Sequence, residues 1–111
     1  MAEIIKKRYE YQTSDKMYED YKKLSDLILE KTLLVSEGTF EHGGHISPNS
    51  FHSDDKSSFL VPGAEPAVIH LQVSRGHFYT LTATIDDKFV KSEKAKSTLA
   101  EICDSIRKAV E

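Results

Sequence analysis

No stretch of this sequence approaches the ~20 apolar residues that a membrane-spanning helix needs, and the opening MAEIIKKRYEYQ lacks the apolar centre of a secretory leader. The protein is therefore expected to be cytoplasmic, or a mature form whose leader is absent from this chain. Cysteine is nearly absent too: Cys103 stands alone, which excludes an internal disulfide. Its neighbours Ile102 and Ile106 make it a small core residue rather than a reactive thiol. Basic charge is not in surplus. Fifteen Lys and Arg stand against eighteen Asp and Glu, for a formal charge of −3 and a pI near 5.9, so the overall field does not draw phosphate backbones and nucleic acid is not an expected partner. The one basic run, Lys6-Lys7-Arg8, is flanked by Glu3 and Glu10 and reads as a solvated edge strand, where lysines guard against unwanted pairing.

Organised catalytic signatures are also missing. There is no Gly-x-Ser-x-Gly elbow, no Gly-x-Gly-x-x-Gly and no phosphate loop. The adjacent acids Asp86-Asp87 follow a strand and read as turn chemistry. A non-enzymatic protein is the expectation, with no bound cofactor.

The 111 residues fit a single domain. With 39% hydrophobic and 30% charged residues, the chain has the balance of a folding, soluble protein. Its pattern predicts α+β: an antiparallel sheet of four to five strands with two amphipathic helices packed on it, in the order β-α-β-(β)-β-β-α. Ile4 to Tyr11 alternates as a strand, with Ile5, Tyr9 and Tyr11 on one face and Ile4, Lys6, Arg8 and Glu10 on the other. Thr13-Ser14-Asp15 opens a helix running to about Lys31. Its apolar stripe is Met17, Tyr21, Leu24, Leu27 and Ile28, while Glu19, Asp20, Lys22, Lys23, Asp26 and Glu30 fill the polar side. Thr32 to Phe40 is a second strand. Glu41 to Glu65 is irregular, with one short strand expected at Ser58 to Val61 and a mobile Ser53 to Ser58 stretch. Ala67 to Ser74 and His77 to Ile85 form a hairpin about Arg75-Gly76. In it Ile69, Leu71, Val73, Tyr79, Leu81, Ala83 and Ile85 face the core, and His70, Gln72, Thr80, Thr82 and Thr84 face away. A closing helix from Ser92 to Val110 carries the stripe Ala95, Leu99, Ile102, Ile106 and Val110.

The runs LLVSEGTFEHGG and HFYTLTATIDDKFVKSEKAKSTLAEICDSIRKAV give the chain, over about residues 30–110, a pattern that resembles the PsbP-like fold group. That group includes the photosystem extrinsic protein PsbP, the Ran-binding Mog proteins and the DcrB and LpqN lipoproteins. The features that carry the likeness are the turn Gly43-Gly44, the last strand of the hairpin at Tyr79 to Thr84, the linker aromatic Phe89 and the helix end Ser105-Ile106-Arg107. The chain departs from the group in having no tryptophan and no leading strands. The resemblance implies an accessory or adaptor role without catalysis, and transfers no site residue.

Five histidines are present, and three of them, His42, His45 and His52, fall together with Asp54 and Asp55 in the irregular region. The His-x-x-His spacing, with Gly43-Gly44 allowing a tight turn, is compatible with a zinc or nickel site if the backbone brings the ligands to ~2.0–2.2 Å of one ion. Surface loop histidines are the alternative reading. The leading expectation is a protein-binding module that offers either the 41–65 segment or the polar sheet face to a protein partner. A metal-binding protein using His42, His45 and His52, or a small acidic inhibitor or immunity protein, are the alternatives. Homodimerisation through the first strand, at a sheet edge, is a further expectation.

Overall fold

The computed structural model describes residues 2–36 and 55–110. Five antiparallel strands, β1 (Ala2–Tyr9), β2 (Leu33–Ser36), β3 (Asp55–Leu60), β4 (Val68–Arg75) and β5 (Tyr79–Asp86), form one sheet in the order β1-β5-β4-β3-β2. Two helices accompany it, α1 (Ser14–Leu29) and α2 (Glu93–Ala109). The α+β class, the strand number and the element order are those expected from the pattern.

Alternation decides which side of the sheet is covered. Ile69, Leu71 and Val73 of β4 pair with Ile85, Ala83 and Leu81 of β5, and all six are buried. Their sequence neighbours are only half-buried. From α1 come Met17, Tyr21, Leu24 and Ile28, and from α2 come Ala95, Leu99, Ile102, Cys103 and Ile106, joining the same buried cluster. Both helices thus lie on one side of the sheet, against each other and against β1 and β5. Burying two apolar stripes against one apolar sheet face is the stable two-layer solution for this pattern.

Local chemistry sets the helix ends. A 3-10 turn at Tyr11–Thr13 precedes α1, held by the Thr13 hydroxyl donating to the Glu10 carbonyl at 2.9 Å. Tyr11 therefore leaves the strand earlier than its alternation implies, and Thr13 flanks the helix without a side-chain cap. At the far end the Thr32 hydroxyl donates to the Ile28 carbonyl at 2.8 Å, beside the Lys31 N–H that donates to the same oxygen at 3.1 Å. For α2 the expected cap holds: the Ala95 N–H donates to the Ser92 hydroxyl oxygen at 3.3 Å. Glu93 in the first turn and Arg107 with Lys108 in the last suit the helix dipole.

Three expectations are corrected. Ile4, placed on the polar face by strict alternation, is 7% exposed, because a bulge between Glu3 and Ile5 breaks the period and turns both isoleucines toward the helices. Asp20, assigned to the polar side of α1, is buried. The stretch expected to be mobile is, from residue 55 on, strand β3, paired along its length with β4. Its Ser57 and Phe59 are buried with the core, so burial on one face stabilises a run whose composition reads as loop.

Candidate functional site: the open face of the sheet

Cross-strand register places polar side chains in rows on the side that the helices leave uncovered. Ser58 of β3 stands beside His70 of β4, His70 beside Thr84 of β5, and Thr84 beside Glu3 of β1. One step along the strands, Lys56, Gln72, Thr82 and Lys6 form a second row. A third continues it with Ser74, Thr80 and Arg8. Lys6, Arg8, Lys56 and Glu3 are exposed and the others half-buried. Neighbouring strands lie ~4.8 Å apart, so Lys56 and Lys6 bracket about 14 Å of hydroxyl and amide surface.

The face is electrically polarised. Lys6, Arg8 and Lys56 lie toward one end of the strands, while Glu3 and Asp86 lie toward the other. The Arg8 guanidinium carbon lies over the Phe78 ring at 4.5 Å from its centroid, a cation–π contact near the end of the sheet.

His70 sits within the first row. Its Nδ1 is 2.8 Å from the Ser58 hydroxyl. Partial burial, aided by the Lys56 ammonium and opposed by Asp86, pushes the imidazole pKa below its ordinary value. The ring is therefore neutral at neutral pH, and its tautomer sets which of Nδ1 and the Ser58 hydroxyl donates. Both residues stand on strands flanked by partners on each side, whose amides are engaged in the ladders. The pair is a hydrogen-bonding feature of the sheet face.

A second polar cluster lies on the covered side. The Asp20 carboxylate accepts from the Tyr9 hydroxyl at 2.5 Å and from Lys7 Nζ at 3.2 Å, and pairs with Lys16 Nζ at 3.3 Å. Burial by itself raises the Asp20 pKa, but the bonds from Tyr9 and Lys7 and the charges of Lys7 and Lys16 outweigh it and hold the carboxyl below its usual range. Burial and the Asp20 carboxylate push the Tyr9 hydroxyl well above its ordinary value. This cluster joins β1 to α1. Its only sequence signal was the position of Asp20 beside Met17 and Tyr21 on the apolar stripe.

The histidines His42, His45 and His52, together with Asp54, lie outside the described residues. Among the described residues no group of three His, Cys, Asp or Glu side chains is placed to hold a metal ion. His70 and His77 belong to the sheet face and the β4–β5 turn respectively. Lys56 and Ser58 are the site residues that sequence reasoning overlooked; the alternation Lys56, Ser58, Leu60 against Ser57, Phe59 was the signal available. The opposite edge of the sheet has a different character, with Leu33, Leu34 and Val35 of β2 exposed at 59%, 40% and 64%.

No helix among the described residues is long and apolar enough to cross a membrane. Comparison with family models, curated proteins and solved structures finds no match for this chain.

Proposed function

We propose that this protein is a non-enzymatic binding module that docks an acidic segment of a protein partner on the open face of its sheet. One observation carries the reading: the face opposite both helices sets Lys6, Arg8 and Lys56 around Gln72 and Thr82, while its apolar row of Leu33, Leu60 and Val68 lies toward the Asp86 end. Sheets with one side left uncovered are common, but a surface with cations at one end and hydrogen-bonding groups between them is complementary to an extended chain bearing carboxylates. Gln72 and the threonines supply donors and acceptors for the backbone of such a chain. The polarity of the face also sets its direction, since Glu3 and Asp86 repel an acid at the far end. The accessory or adaptor role implied by the PsbP-like pattern points the same way.

The test is a titration of isotope-labelled protein with a glutamate-rich peptide long enough to cross the sheet, followed by amide chemical shifts. Shifts gathered on Lys6, Arg8, Lys56, Gln72 and Thr82 are expected, and they should vanish in the Arg8→Glu/Lys56→Glu variant. Shifts confined to the helices, or none at all, would overturn the proposal.

A further inference from the structure

We infer that the outer edge of β1, terminal in the sheet among the described residues, is a self-association surface on which a second copy of this chain adds antiparallel. This goes beyond the docking face, since it concerns the backbone edge of β1, with which that face shares the side chains Glu3 and Lys6.

β1 is the terminal strand, paired only with β5 among the described residues. Between Glu3 and Ile5 its register slips against β5, so Ile4 and Ile5 both turn toward the helix side while Glu3 and Lys6 both point to the open side. Two antiparallel copies keep matching faces only if a two-fold axis relates them and each helix-side residue meets a helix-side residue. Setting that axis at the Ile4–Ile5 step satisfies the condition: Ile4 meets Ile5 of the other copy, and Glu3 meets Lys6. Symmetry repeats each pair. On the open side every directly opposed charge in this register is therefore of opposite sign.

Registers centred on the charged residues fail on charge. An axis at Lys6 sets that lysine against its own copy, an axis at Lys7 does the same to Lys7, and an axis at Glu3 opposes two glutamates. Like charges directly opposite are destabilising in a sheet. The lysines that guard this edge against general pairing thus permit one partner strand, the copy of β1 in the Ile4–Ile5 register.

A groove lies beside the start of the same edge. A cavity of about 290 Å³ beside Ala2 is lined by Ile85, Leu99 and Cys103 together with the charged Asp87, Lys96, Asp104 and Arg107. A strand added along β1 completes backbone hydrogen bonds that an outer edge leaves open.

The experiment is sedimentation velocity over a broad concentration range on the wild type, Glu3→Lys, Lys6→Glu and the double variant Glu3→Lys/Lys6→Glu. Both side chains are exposed, and circular dichroism checks that each variant is folded. The wild type is expected to show a monomer–dimer equilibrium. Each single reversal sets two like-charge pairs across the junction and should weaken it by about tenfold, while the double variant restores opposite charges and wild-type association. A wild type that stays monomeric throughout overturns the inference. So does a dimer indifferent to the single reversals, or one that the double variant fails to restore, because association would then use another surface or register. The glutamate-peptide titration is read on Arg8 and Lys56, which this register leaves unpaired, so the two proposals fail separately.

Discussion

Asp20 is where a single side chain does most to join two elements. Its carboxylate holds Tyr9 and Lys7 of β1 and Lys16 of α1 at once, and it is buried. Tyr9→Phe removes a hydrogen bond to a charged group and should cost about 2 kcal/mol of unfolding free energy, measured by urea denaturation. Because the folded protein holds Asp20 below the ordinary carboxylate range, the unfolded chain takes up its proton first as the pH falls. The contribution is complete above the ordinary aspartate pKa and is lost through the folded value below it. Asp20→Asn should therefore be less stable than the wild type at neutral pH and should show a shallower loss on acidification. His70 works in the same direction by a different route. Its pKa is lowered by burial and by Lys56, so the unfolded state binds its proton more readily. Stability is expected to decline as the pH drops below the ordinary histidine value, and His70→Gln should flatten that part of the profile.

At the scale of elements, the caps and stripes decide stability. Ser92 accepts the Ala95 N–H at the start of α2, and Ser92→Ala should cost about 1 kcal/mol. Ile106, fully buried against the sheet, should cost about 2–5 kcal/mol as Ile106→Ala, a larger loss because a cavity adds to the transfer term. Thermal melts of the two variants would rank them. The helices and the β4–β5 hairpin were legible in the sequence because their periods are unbroken: Leu99, Ile102 and Ile106 recur at helical spacing, and Tyr79 to Asp86 alternates buried and half-buried without exception. Ile4 was misplaced because a bulge adds one residue to the strand, and nothing in the residue types announces where that happens. Asp20 was misread because charge outranks position in a pattern reading, whereas its partners Tyr9 and Lys7 come from another element. Strand β3 was shortened because Asp55 to Ser58 are poor strand formers in isolation; pairing with β4 supplies what propensity lacks. The open face was half legible, since His70, Gln72, Thr80, Thr82 and Thr84 alternate away from the core, but Lys56, Ser58, Lys6 and Arg8 join them only through sheet order.

At the scale of the whole molecule, a net negative protein gathers Lys6, Arg8 and Lys56 toward one end of one sheet face. Long-range charge therefore opposes an acidic partner while local charge attracts it, and the encounter is steered to that end of the sheet. Binding of a glutamate-rich peptide should weaken as salt is raised, because the attracting side chains are exposed and screened. The most direct test of the docking surface compares two variants with the same change in net charge: Arg8→Glu/Lys56→Glu on the open face and Lys94→Glu/Lys108→Glu on the exposed side of α2. Calorimetric titration with the glutamate-rich peptide at low salt should show binding lost in the first and kept close to wild type in the second. Equal weakening in both, or a loss confined to the helix variant, would contradict a recognition surface on the sheet.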